Sequence, residues 1–313
     1  MGTAYTPGLT VSPGTTIRKT RRLPLKGQVV VNQGDRVTSD TVVARTEIPG
    51  VIQTVRVAEI LGLEPPEAVN ALKVAQGDKV ESGQVLAETR TFFGLFKTEC
   101  KSPVAGTVEL ISSTTGHVGI RLPSTPVEVT AYIDGTVAEI IPEEGVVIET
   151  YGALVQGIFG VGGERTGRLV VFGDSPDSEI TEDMIAPDHA GAVIVGGAGI
   201  TLGALKKAAE TGVQGVVVGA ITDTDLVAYL GHDIGVAITG QEDIPTTLIL
   251  TEGFGSIKMA RRTFDLLKSL EGRKVSINGA TQIRAGVIRP EVIAPLDTKP
   301  ETAQMHLKRQ MLE

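Results

Sequence analysis

The chain has 313 residues and 32.8 kDa, room for about two domains, because a single hydrophobic core usually stops growing near ~250–300 residues. Hydrophobic residues at 41% and charged residues at 21% fit a packed globular chain, while the absence of Trp and an aromatic share of 4% disfavour base-stacking platforms and flat-ring sugar clefts. A formal net charge of −8 and a pI near 5.2 weigh against nucleic acid as a partner, since phosphate neutralisation needs a basic face.

In chain order, residues 1–23 read as an extended segment. Its start lacks the apolar core of a signal peptide, and no stretch reaches the ~18 apolar residues of a membrane span, so the expectation is a cytoplasmic protein without membrane insertion. The basic run Arg18-Lys19-Thr20-Arg21-Arg22 reads as a solvated entry segment, with an anionic partner site as the alternative. From 24 to 150 the pattern is all β. Short Val- and Ile-rich strands are expected over 28–31, 42–45, 51–57, 85–89, 107–112, 118–122, 127–132, 136–141 and 146–149, separated by Gly, Pro, Asp and Ser turns. A helical insertion falls near 57–72, where Pro65-Pro66 fit a helix start. Residues 151–167 form a Gly-rich connection. An α/β domain over 168–297 follows, with strands near 168–172, 191–195, 214–218, 235–239, 246–251 and 274–278. Its three expected helices lie near 201–211, 223–230 and 256–271, and a tail occupies 298–313. The fold class is α+β in two domains.

One phrase occurs twice. Gln33-Gly34-Asp35-Arg36-Val37-Thr38-Ser39 returns as Gln76-Gly77-Asp78-Lys79-Val80-Glu81-Ser82, and each copy runs into an apolar strand ending Ala-x-Thr, at 44–46 and 87–89. A Gly-Asp turn leading through Val and a second turn into a short strand is a hairpin signature, and its duplication implies an internally symmetric β scaffold. The run Gly77 to Ala87, followed by Ser102-Pro103-Val104-Ala105-Gly106-Thr107-Val108, resembles the biotinyl/lipoyl domain and its wider barrel-sandwich hybrid family. That family includes domains inserted in RNA polymerase β′ subunits and in the C subunit of membrane ferredoxin:NAD oxidoreductases. A third echo, Asp134-Gly135-Thr136-Val137-Ala138-Glu139-Ile140, continues the pattern. The resemblance implies a barrel-sandwich hybrid in the N-terminal half.

Carrier members of that family place a lysine at the hairpin tip, usually between methionines. Here the tip is Phe92-Phe93-Gly94-Leu95, and Lys97 lies past the turn. A biotin- or lipoyl-type carrier is therefore a minor reading. Phe92, Phe93, Leu95 and Phe96 read instead as a contact surface for a protein partner or for self-association into a homo-oligomer. A second resemblance, carried by Gln156 to Gly163 and Leu250 to Gly255, links the whole chain to the C-terminal extension of some glutamate mutase L proteins and implies a two-part module without naming a reaction.

Two strand–glycine–helix turns are candidate anion sites. In the first, Gly197 and Gly199 precede Thr201 at a helix start, and Asp223 follows the next strand where a dinucleotide fold carries its ribose-binding acid. In the second, Gly253, Gly255, Ser256 and Lys258 open the helix of 256–271, with Ser256 as N-cap and Arg261 and Arg262 adding charge. A tight turn and simple capping explain the same residues. No nucleophile elbow is present, and His117, His189, His232 and His306 have no metal-ligand spacing, so no catalytic set or metal is expected. The single Cys100 reads as a buried small hydrophobe. These readings add up to a non-catalytic assembly or adaptor protein with no expected cofactor. The alternative is a nucleotide- or phosphate-binding protein or enzyme.

Overall fold

The computed structural model describes residues 9–91, 96–231, 244–281 and 288–296. The expected strand at 235–239, the tail at 298–313 and the tip residues Phe92, Phe93 and Leu95 lie outside them. The fold is α+β, mostly strand, and no described helix is long and apolar enough to cross a membrane. The first elements are β1 (Val11–Arg22), β2 (Gln28–Val29), β3 (Arg36–Val37), β4 (Val42–Ile48), β5 (Ile52–Val55), α1 (Val57–Leu61) and α2 (Pro65–Asn70). Then come β6 (Lys79–Val80), β7 (Val85–Thr91), β8 (Phe96–Lys101), β9 (Gly106–Ser112), β10 (His117–Arg121), β11 (Thr125–Thr130), β12 (Gly135–Ile141) and β13 (Gly145–Gln156). The remainder is β14 (Phe159–Val161), β15 (Glu164–Val171), β16 (Ala192–Val195), α3 (Leu202–Thr211), β17 (Gly215–Ile221), α4 (Asp223–Leu230), β18 (Thr247–Phe254), α5 (Arg261–Ser269), β19 (Lys274–Asn278) and β20 (Glu291–Pro295).

The compact units divide differently from the expected 24–150 and 168–297. One unit holds residues 1–22, 29–44 and 129–313; the other holds 23–28 and 45–128. In the first unit an 11-stranded sheet runs β14-β18-β17-β16-β15-β19-β20-β13-β12-β3, with β1 on β13. Neighbours among β15, β16, β17 and β18 are parallel, and the other pairs are antiparallel. The parallel strands are apolar throughout because both faces are covered. Ile194, Val216, Val218 and Leu250 face Leu205 of α3 and Leu226 of α4, whereas the alternating Val193, Val195, Val217 and Ile249 face Phe264 and Leu267 of α5. Residues 151–167 are not a loop, because β13, β14 and β15 occupy most of them.

The basic run also changes meaning. It forms the end of β1, with Arg18 against Glu139 and Glu149, Lys19 on Glu291 at 2.5 Å, Arg21 on Glu164 at 2.6 Å and Arg22 at 3.9 Å from Glu144. Those glutamates are scattered through the sequence, so the run reads as unpaired until β1 is laid on β13. It is an ion-paired strand, and Arg18, Thr20 and Arg22 remain exposed to solvent.

The second unit has a four-stranded sheet, β5-β10-β9-β6, and the hairpin β7–β8. Val80, Leu86, Val108, Val118 and Ile120 pack with Val57 and Leu61 of α1 and Ala68 of α2. The insertion expected at 57–72 is two short helices, broken at Gly62 in the left-handed region (φ 65°). Cys100 is fully buried in this core, and burial pushes its thiol up.

The repeated phrase marks two equivalent four-strand arrangements, β1-β13-β12-β3 at one end of the large sheet and the separate sheet β5-β10-β9-β6, the second inserted in the sequence of the first. Arg18, Glu149, Thr136 and Arg36 stand side by side across the first; Ile52, Arg121, Thr107 and Lys79 do so across the second. A bulge skips Ala138 in one and Glu109 at the matching place in the other. The turns close alike. The Gly34 N–H donates to Val137 O at 2.8 Å and that of Gly77 to Val108 O at 2.7 Å. Asp35 accepts from the Asn32 N–H at 2.8 Å, and Asp78 from that of Ala75 at 2.7 Å. Gln33 donates to Ala138 O at 2.9 Å, and Gln76 to Glu109 O at 2.7 Å. Gly34 and Gly77 have φ of 92° and 96°, which explains glycine there. The echo at 134–140 is therefore the second half of the outer copy, parted from its first half by the inner one.

Candidate functional site

In a parallel sheet the carboxyl ends of the strands are where ligands usually bind. The turns carrying Gly197, Gly199, Asp223, Gly255 and Lys258 do gather after β16, β17 and β18, but that edge is filled by the protein itself. A Cβ on Gly197 would lie 2.5 Å from Pro176 Cα, and the Gly197 carbonyl accepts the Met259 N–H at 2.6 Å. Gly199 O accepts from Ile180, and its face is approached by Glu179. The Thr201 hydroxyl caps α3 by accepting from Ala204 at 3.2 Å. Glu182 stands over the same helix start, its Oε2 2.6 Å from where a Gly203 Cβ would be. A carboxylate at a helix N-terminus already complements the positive end of the dipole. Asp223 is the first residue of α4, behind the capping Thr222.

The second candidate is corrected. α5 begins at Arg261, not 256, because the chain stays extended through the buried Met259 to reach Gly197. Ser256 therefore caps nothing. The N-cap position is Ala260, and its N–H is taken by Glu252 at 2.9 Å. Gly253 and Gly255 have φ of 128° and 100° and turn the chain out of β18. Lys258 pairs with Asp177 at 2.9 Å and holds that carboxyl below its usual range. Glu252→Ala is expected to cost about 1 kcal/mol, as loss of a cap does, and Ser256→Ala to stay within ~0.5 kcal/mol; chemical denaturation of the two variants checks the assignment.

Two clefts occupy equivalent places in the two copies. The outer, about 590 Å³, is lined by Arg36, Thr136, Glu149 and Tyr151; the inner, about 1110 Å³, by Lys79, Thr107, Arg121 and Pro123. Their linings have diverged while their position has not, so the module's geometry creates them. In the inner cleft Arg121 grips Glu109 through two nitrogens and donates to Gly50 O at 2.8 Å, and Glu109 is held below the usual carboxylate range by that contact.

On the hairpin, Lys97 stands opposite Arg90 and bonds Glu99 at 2.5 Å and Glu88 at 3.1 Å. Hydrogen bonds from Lys73 and then Lys97 bring Glu88 down to about 2. Phe96 opens β8 opposite Thr91. His189 accepts from the Ala186 N–H at 3.1 Å and meets the Phe172 ring edge-on; His117 faces Glu59. His232 and His306 lie outside the described residues. Among the described residues no three His, Cys, Asp or Glu side chains are grouped to hold a metal.

Three features escaped the sequence reading in whole or in part. Glu252 reads in sequence only as unfavourable to an anion beside its glycines, and Glu182 carries no signal, yet these two carboxylates occupy the helix starts. Tyr132 is a buried residue with a positive φ of 70°. One face of the inner sheet exposes Ile52 and Leu110, and Val51, next to Ile52 in the chain, is exposed as well. This last feature left a trace in sequence, as an uncharged Val-Ile-Gln-Thr-Val run. The chain matches no family model, no curated protein and no solved structure.

Proposed function

We propose that the protein is a non-catalytic assembly or adaptor module, built on nested β modules of the barrel-sandwich hybrid type, that presents apolar surface to a protein partner or to another copy of itself. One observation carries this reading. Where the outer sheet has the charge cluster Arg18, Glu139 and Glu149, the equivalent positions of the inner sheet are Ile52, Leu110 and Arg121. Ile52 and Leu110 are 44% and 56% exposed, and Val51, next to Ile52 in the chain, is 72% exposed. Neighbouring exposed apolar side chains are a mark of contact surfaces. The doubly ion-paired Lys97 fits a charged ladder better than a swinging cofactor arm, and the carboxylates at both glycine turns weigh against phosphate.

Light scattering across a concentration series tests the reading. The expected result is a mass above 32.8 kDa that falls with Leu110→Lys or Phe93→Ser. A constant monomer mass, together with stabilisation by a nucleotide that Gly199→Val abolishes, would replace it with the ligand-binding alternative.

A further inference from the structure

β5 ends the inner sheet and pairs with β10 alone among the described residues. Antiparallel pairing sends the backbone groups of alternate residues toward the neighbour and away from it. Leu122 donates to Val51 O at 3.0 Å, so Val51, Gln53 and Val55 face β10, while the N–H and C=O of Ile52 and Thr54 face outward. The Gln53 side chain reaches Thr54 O at a marginal 3.5 Å.

Edge strands of this kind are normally blunted by charge, proline or a bulge. The matching stretch of the outer copy, Arg18-Lys19-Thr20-Arg21, carries three cations. Val51-Ile52-Gln53-Thr54-Val55 carries none, has no bulge, and is β-branched at every position but Gln53. It is also its own complement. About Gln53, Val51 mirrors Val55 and Ile52 mirrors Thr54.

Resting on the assembly reading, we propose that β5 pairs antiparallel with β5 of a second copy about a two-fold axis through Gln53, joining two four-stranded sheets into one. The outward groups then match by symmetry. Ile52 faces Thr54 of the other copy twice, which makes four N–H···O bonds, and each pair sets one β-branched side chain against another. Gln53 meets Gln53 in the closer, non-hydrogen-bonded pair, and the exposed Val51 lies across Val55. A slip by one residue would set outward groups against inward ones. A slip by two would bring either Arg56 opposite Ile52 or Pro49 opposite Val55. An isologous contact of this sort closes on itself instead of propagating.

The test is cross-linking of the full chain carrying Gln53→Cys. Directly opposed residues in a non-hydrogen-bonded pair have the separation a disulfide needs, and the native Cys100 is buried. Under mild oxidation at about 100 μM the expected product is a covalent dimer, formed at least ~10-fold less when Ile52→Lys is added. Thr54→Cys, which faces Ile52 and not itself, should not cross-link. A folded Gln53→Cys protein that stays monomeric, or equal cross-linking of the two cysteine variants, overturns the pairing. If the mass still exceeds a monomer and falls with Phe93→Ser, the assembly reading stands without this interface. A monomer in every assay defeats both.

Discussion

Tyr132→Ala is expected to cost about 3–5 kcal/mol, the usual effect of removing a large buried ring, and to lower Tm by roughly 10 °C. The side chain is 3% exposed in the core of the outer module, and almost every group on it is engaged. Its carbonyl accepts from Ser276 at 2.6 Å, its N–H donates to Ser39 O at 2.9 Å, and its hydroxyl donates to Glu291 at 3.3 Å. Arg21 lies 5.3 Å over the ring while bonding Thr130 O and both oxygens of Glu164. These contacts hold Tyr132 at φ 70°, a conformation that costs a non-glycine residue about 1–2 kcal/mol. Tyr132→Phe keeps the ring and loses one hydroxyl bond, so about 1 kcal/mol is expected. The two variants also differ in alkaline solution from the native protein. Burial first, and then the charges of Glu291 and Glu164, push the Tyr132 phenol well above its ordinary value of 10.0. Its contribution is thus complete below pH ~10 and is lost as pH rises further, when the unfolded phenol ionises and the folded one resists. Denaturant midpoints measured from pH 8 to 11 should fall less steeply for Tyr132→Phe. An identical slope, or an alanine variant within ~1 kcal/mol of native, would remove Tyr132 from the centre of this network.

How far the sequence reaches depends on whether a feature is local. α3 and α4 lie close to their expected spans, because each starts on a threonine whose hydroxyl accepts an N–H three residues on and ends on a left-handed glycine. The Gln-Gly-Asp turns are legible for the same reason: aspartate, glycine and glutamine each do one job within a few residues. The nesting is not local. Gly34 and Gly77 read alike, but one closes on Val137 and the other on Val108, and only the hydrogen-bond ladder tells which half belongs to which. β1 was hidden by its charges, since the five glutamates that pair with them come from β12, β13, the turn between those strands, β15 and β20. Ser256 misled because it looks like a cap, while the true start of α5 is set by a long-range bond from Met259 to Gly197. Of the contact surface, the Phe-rich tip falls outside the described residues. The unprotected β5 became visible only when its twin in the outer copy showed what protection looks like.

Gly106→Ala and Gly135→Ala test the nesting most directly, because they are the same residue of the two copies. A Cβ on Gly106 would lie 2.2 Å from Arg121 O and 2.9 Å from Ile120 Cγ2; one on Gly135 would lie 2.5 Å from Glu149 O and 3.1 Å from Ile148 Cγ2. In each copy the obstacle is the carbonyl of the paired strand, which cannot rotate away as a side chain could. Relief requires β9 to part from β10, or β12 from β13, and about 3 kcal/mol is expected for each. The damage should remain within the copy that is hit. Gly106→Ala is expected to speed amide exchange in β9, β10 and the 76–80 turn while β12 and β13 keep their protection, and Gly135→Ala to do the reverse. The outer copy has its own closure around the insertion, since Ala131 donates to Thr41 O at 2.9 Å and Tyr132 to Ser39 O, which brings the chain together where the inner copy leaves and returns. Exchange mapped by mass spectrometry separates the possibilities. If Gly106→Ala loosens β12 and β13 as much as β9 and β10, the two copies form one cooperative body and the inner module is not a separable insertion.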